Sequence, residues 1–188
     1  MKTYNIDDFL NNTYSLAKEV TLENVYKIKD LILISNRVFL IGNGGSAAIC
    51  DHIANDLMKR CGKEAFTLSS PALMTCLAND YGFDNIFSNF LELHKITYYN
   101  EYRLNSDLLI AISSSGKSKD IVNAIDTAKV AGANIIGMAG FGGFPELQKQ
   151  YLAVDIYFDS KNYGEVEMAT ELVLHGVVED IVYERQTR

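Results

Sequence analysis

Near residue 36 the hydrophobic positions change their spacing, and the change divides the chain. Before it, Ile6, Phe9, Leu10, Tyr14, Leu16 and Ala17 fall at helical spacing, and Val25, Ile28, Leu31, Ile32 and Ile34 repeat the pattern after Thr21, a predicted N-cap. Beyond it come short runs rich in β-branched or aromatic residues: "VFLI" (38–41), "FTLS" (66–69), "LLIAIS" (108–113), "NIIGMAG" (134–140) and "AVDIYF" (153–158). Small or polar residues follow each run, and the longer gaps have helical texture. Strands alternating with helices predict β-α-β units and a mainly parallel sheet. Continuously apolar strands such as "LLIAI" predict helices over both faces. A last helix is expected from near Gly164 through "EVEMATELVLHGVVEDIVYE".

Composition narrows the class. A chain of 188 residues has the length of one domain, expected as a helical segment (1–36) followed by an α/β core (37–188). With 48% hydrophobic and 22% charged residues it reads as a soluble globular protein. The net charge of -7 argues against a nucleic-acid surface. No apolar run reaches the roughly 18 residues of a membrane span, and the opening "MKTYNIDDFL" is too acidic for a secretory signal. Cys50, Cys61 and Cys76 form no C-x-x-C pair, which fits free thiols in the cytoplasm.

In sheets of this kind ligands bind beyond the carboxyl ends of the strands. Two turns there stand out, "GNGGS" (42–46) and "SSSGKS" (113–118). "GNGGSA" satisfies G-x-G-x-x-A, the dinucleotide pattern, but that fingerprint also needs an acidic residue at the end of the second strand. Here "FTLS" ends in Ser69 and Ser70, so no nucleotide cofactor is expected. "AISSSGKS" departs from a triphosphate-binding loop at Ala111, which stands at the first glycine position. The reading that uses both loops is a phosphate cradle. Four serines in six residues gather hydroxyls and N–H groups at a helix start, where the dipole favours an anion. Ser113, Ser115 and Ser118 are the expected donors, with Ser114 either joining them or packing, Lys117 a solvated charge, and Asn43 and Ser46 on the sugar side.

"GNGGSAA" followed by His52, "LANDYGF" (77–83), "AISSSGKS" and a last helix bearing His175 together resemble the sugar-isomerase (SIS) superfamily, and within it the phosphoheptose (sedoheptulose 7-phosphate) isomerases. The resemblance covers nearly the whole chain. It implies a three-layer fold with a five-stranded parallel sheet between helices, and a homotetramer built partly on the N-terminal helices, with active sites at subunit interfaces. It implies aldose–ketose isomerisation of a phosphosugar in heptose supply for lipopolysaccharide or capsule. The substrate contacts it implies are Asn43, Gly44, Gly45, Ser46, Arg60, Asp80, Ser113, Ser114, Ser115 and Ser118. It also implies a metal, often zinc, held by His52, Asp56, Glu167 and His175. The family typically has glutamate at position 56, glutamine at 167 and aspartate at 164, where this chain has Asp56, Glu167 and Gly164.

His52 and Asp56 stand four apart on one helix face, and Glu167 and His175 eight apart, about two turns. Imidazole and carboxylate suit zinc, and Glu171, one turn before His175, competes with Glu167 for the ligand place. The plainer alternative makes His52 a hydrogen-bonded helix residue and His175 a buried one. His94 has no partner in the motifs and is expected at the surface or an interface. For proton transfer through an enediol, Asp56 is the candidate base, Glu167 its substitute, and His175 the acid/base partner. Two rival readings remain: a non-catalytic sugar-phosphate binder of the regulatory or initiator-associating type, and an isomerase of a different phosphosugar.

Overall fold

Two helices lead into the sheet, α1 (Ile6–Glu19) and α2 (Leu22–Ile34), in a computed structural model that describes residues 4–96 and 107–187. A capping box starts α1: the Asn5 side chain accepts from the N–H groups of Asp7 and Asp8, while Asp8 accepts from the Asn5 N–H. Thr21 caps α2 by accepting from the Asn24 N–H at 3.2 Å, as expected.

Five parallel strands follow: β1 (Arg37–Ile41), β2 (Glu64–Phe66), β3 (Leu108–Ser113), β4 (Asn134–Ala139) and β5 (Val154–Tyr157). Their order is β2-β1-β3-β4-β5. The chain runs outward from β1 to β2, then returns to pair β3 against the other side of β1, with Ile41 opposite Ala111. Strand order therefore reverses between β1 and β3. The turns leaving these two strands flank the crevice where such sheets bind ligands, and they are "GNGGS" and "SSSGKS".

Alternation along the strands feeds two cores. Val38, Leu40, Ile110 and Ile112 point to the side covered by α2, α3 (Gly45–Lys59) and α8 (Tyr163–Thr187). Phe39, Ile41, Leu109 and Ala111 point to the side of α4 (Pro71–Tyr81), α5 (Ile86–Leu93) and α6 (Lys119–Val130). Both halves of β3 are thus buried, which explains its unbroken apolar run. Ile110 has no exposed surface, and truncating it to alanine would cost about 2–5 kcal/mol. A short helix, α7 (Glu146–Lys149), precedes β5.

One strand differs from its sequence expectation. The second strand is Glu64–Phe66, so "FTLS" shares only Phe66 with it. Pairing stops at Phe39 opposite Phe66; Thr67 turns its hydroxyl to Asp51 and Ser70 caps α4. Leu68 is buried from a loop, and its burial in the core gives the segment its strand-like alternation. Glu64 becomes the first residue of β2, at the end of the sheet away from the two loops. No helix among the described residues is long and apolar enough to cross a membrane, and all three cysteines are free.

Candidate active site

The serine turn is set by backbone. Ser113 closes β3, its carbonyl accepts from the Gly116 N–H at 2.9 Å, and Ser118 is the N-cap residue of α6. Ser113 donates to Ser118 across 3.4 Å, and the Lys117 N–H donates to Ser115 Oγ at 3.2 Å. Ser113 and Ser114 are buried, yet both line a cavity of about 100 Å³ with Ser115, Ser118, Asn43, Ser46, Ile112, Tyr163 and Glu167. All four serines thus meet Asn43 and Ser46, as the two-loop reading expects. Whole-ligand pockets usually measure about 300–1,000 Å³, so this cavity has the size of one end of such a ligand. Lys117 is exposed.

The first turn enters α3 through Gly44, whose φ of 55° lies in the left-handed region that glycine adopts without strain. A Cβ on the next residue, Gly45, would overlap the Glu167 carboxylate, so the missing side chain is what lets Glu167 into the cavity. Burial pushes the Glu167 carboxyl above the usual carboxylate range. Asn43 does not point freely at the cavity: its Nδ2 donates to Asp120 Oδ2 at 2.7 Å, which ties the first loop to the first turn of α6. Asp120 is itself buried, and burial raises its carboxyl despite the bond from Asn43.

A second cluster lies farther along α3 and α8, which pack side by side. The rings of His52 and His175 meet edge to face with centroids 4.6 Å apart. Glu171 lies between them, its Oε1 3.1 Å from His52 Nδ1 and 3.8 Å from His175 Nε2. Asp56 Oδ2 is 3.8 Å from His175 Nδ1 and 3.4 Å from Arg60 Nη1. Arg60 in turn holds Glu179 by two bonds, 2.7 and 2.9 Å, and this keeps the Glu179 carboxyl below its ordinary range. Along α8, Glu167 and His175 stand about 12 Å apart at 1.5 Å per residue. A seven-carbon chain with a terminal phosphate is on the order of 10 Å long, so the two clusters suit the two ends of one such molecule.

Comparison with known proteins matches this architecture. A family model described as SIS domain covers residues 7–140. The phosphoheptose isomerase of Rhodospirillum rubrum is 34% identical over 151 residues, 77% of this chain and 76% of that protein. The chain belongs to the phosphoheptose isomerase family of SIS-domain proteins. The family member from Campylobacter concisus is 38% identical over 122 residues, 62% of this chain and 60% of that protein. The phosphoheptose isomerase structure from Neisseria gonorrhoeae has the same fold, with a TM-score of 0.80 at 22% identity over 93% of this chain and 94% of that one.

The expected site residues gather in the serine cavity and the histidine cluster, with Asp80 apart from both. His52, Glu171 and His175 bring their donor atoms within 4.8 Å of one another, an arrangement able to hold a metal ion; the expected set was His52, Asp56, Glu167 and His175, with Glu171 the competitor for the Glu167 place. A tetrahedral ion with bonds near 2.0–2.1 Å separates its ligand atoms by about 3.4 Å, within reach of small side-chain rotations here. Neither Arg60 nor Asp80 lines the serine cavity. Asp80 accepts from Asn79 at 2.9 Å and faces a separate cavity of about 430 Å³ between α4 and α5. His94, expected at the surface or an interface, is half-buried: its ring sits 4.7–5.6 Å from the rings of Phe90, Phe66 and Phe39, and burial lowers its pKa. Tyr163, Asp120 and Glu179 were not anticipated. A tyrosine beside a glycine, an aspartate in a first turn and a glutamate on an exposed helix face are too common to carry a signal.

Proposed function

We propose that this chain is an aldose–ketose isomerase that converts sedoheptulose 7-phosphate to D-glycero-D-manno-heptose 7-phosphate. The observation that carries the reading is the pairing of a serine-lined anion cavity with a His52–His175 cluster at heptose-length separation on the same helix. The phosphate docks on Ser113, Ser114, Ser115 and Ser118, with Asn43, Gly44, Gly45 and Ser46 walling the sugar. Binding energy from this end holds the reacting end in place. At that end a base takes a proton from C1 of the ketose, the C2 oxygen gains a proton, C2 receives one in turn, and O1 gives one up to leave the aldehyde.

Asp56 is the base in this scheme and His175 the group that serves the oxygens, because they lie 3.8 Å apart at the far end from the phosphate. Glu167 is too close to the serine cavity for that role and faces the sugar's hydroxyls. Arg60, 3.4 Å from Asp56 Oδ2, holds that carboxylate in place. Zinc fits the donors of His52, Glu171 and His175, and when bound it would polarise the carbonyl oxygen. Assembly as a homotetramer with active sites at subunit interfaces is supported by exposed Ile6, Leu10, Tyr14 and Leu22 on the N-terminal helices. Cytoplasmic placement accords with three free thiols.

The test is incubation of metal-supplemented protein with sedoheptulose 7-phosphate in deuterated water. Deuterium at C2 of an aldose phosphate is the expected result. Tight binding without exchange would instead mark a non-catalytic sugar-phosphate binder. The Glu167 carboxylate favours one further reading, the same reaction on another phosphosugar, and exchange confined to five- or six-carbon ketose phosphates would establish it.

A further inference from the structure

The serine cavity is bounded on one side by the first turns of α8, through Tyr163 and Glu167. Between those two residues sits Glu165, a carboxylate only 5% exposed that does not face the cavity. Its Oε1 accepts from Tyr4 Oη at 2.6 Å and from Asn12 Nδ2 at 2.9 Å, and its Oε2 accepts from Ser160 Oγ. Two of the three donors thus come from the N-terminal segment, more than 150 positions away in sequence. Asn162 joins the group by donating to Tyr4 Oη at 3.2 Å while accepting the Gly164 N–H at 3.0 Å, which caps the start of α8. The ring of Phe9 lies where a Cβ on Gly164 would project, 3.1 Å away, so α1 packs directly on this turn.

The network continues into the serine loop. The Ser160 carbonyl accepts from the Phe141 N–H at 2.9 Å, and the neighbouring Gly140 N–H donates to the Ser114 carbonyl at 3.0 Å. The Phe141 ring packs on Tyr163 with centroids 4.6 Å apart. One buried carboxylate therefore joins α1, the start of α8 and the turn after β4, and that turn braces Ser114.

We propose that Glu165 is a positioning residue through which the N-terminal segment shapes the anion-binding end of the site. It acts by fixing Tyr163, Glu167 and Ser114, and touches no ligand itself. The inference rests on the serine cavity binding a phosphate, as in the proposed function, but not on the reaction being an isomerisation. Loss of the anchor should loosen the phosphate end and leave the histidine end intact.

The experiment compares Glu165→Ala, Glu165→Gln and Tyr4→Phe with the wild-type chain. It measures inorganic phosphate binding by calorimetry, KM and kcat for sedoheptulose 7-phosphate, and thermal melting. Glutamine keeps an acceptor for Tyr4 and Asn12, and the Ser160 hydroxyl can reverse to accept its amide. Expected are a phosphate Kd and KM raised about tenfold in Glu165→Ala, severalfold in Tyr4→Phe and under threefold in Glu165→Gln, with kcat within threefold throughout. Unchanged phosphate affinity in Glu165→Ala would overturn the proposal, as would a loss of kcat at constant KM that merely follows the fraction of melted protein. Should the wild type bind phosphate but show no exchange, the isomerase reading fails while the phosphate arm still decides this one.

Discussion

Ser113 to Ser118 keep their places through backbone bonds and glycine geometry, whereas His52, Glu171 and His175 depend on side chains projecting from two long helices. The first region accepts little change, because each hydroxyl is fixed by a turn that only certain residues can make. The second can redistribute its roles by one helical turn without disturbing α3 or α8. The resemblance read from the sequence implies the same division: its serine motif is matched at Ser113 to Ser118, while Asp56, Gly164 and Glu167 stand where it implies other residues. The proposed anion end is tied to the fold, and the proposed reacting end is adjustable.

The largest effects should come from the adjustable end. Asp56→Asn removes the proposed base but none of the three converging donors, so kcat should fall about a thousandfold with metal content unchanged. Glu171→Gln should do the reverse, weakening zinc binding at least tenfold by calorimetry while phosphate affinity stays constant. If Asp56→Asn sheds the metal and Glu171→Gln retains it, the ligands are those of the family's pattern and the helical-turn shift has not occurred.

Helix geometry explains why that choice was beyond the sequence. At 3.6 residues per turn, eight residues overshoot two turns by about 80°, and four overshoot one by about 40°. Glu171 therefore shares a face with His175 better than Glu167 does, but spacing alone cannot say which face meets α3. The serine loop was legible because strand, turn and helix start are consecutive in the chain. The reading of β-α-β units put both turns at the carboxyl ends of strands, while the strand order that makes a switch point between β1 and β3 is visible only in the fold. The setting of His94 was only partly legible: Phe90 stands one helical turn before it, but Phe39 and Phe66 come from β1 and β2, and nothing local to "LELHKI" announces them. The Glu165 anchor was hidden for the same reason, with its partners at opposite ends of the sequence.

The fixed end can be broken at Gly116. Its φ of 67° is strained for any L side chain, and a Cβ there would overlap the Gly143 carbonyl. Alanine at this position should cost about 1–2 kcal/mol in backbone conformation before the overlap is counted. The serine turn must shift to relieve it. Gly116→Ala should raise KM and the phosphate Kd by about a hundredfold, since a displacement near 1 Å is enough for a loss of that size. Equal loss of metal affinity would show that the two regions are not separable.

The smallest effect runs in the opposite direction, toward improvement. Glu167 brings a carboxylate into the cavity proposed to receive the phosphate, a like charge that glutamine would not carry. At roughly 6 Å and an effective dielectric near 20, the repulsion is about 3 kcal/mol for each unit of phosphate charge, and the serine donors and solvent reduce it. Glu167→Gln should therefore lower the phosphate Kd about threefold to tenfold at pH 8, with Glu165→Gln as the control for a change of charge just outside the cavity. Metal affinity should not move, because Glu171 and not Glu167 stands between the histidines. If the variant binds phosphate less tightly, the Glu167 carboxylate helps to bind the anion, for instance through a shared cation or proton. The division between an anion end and a metal end would then have to be redrawn around that residue.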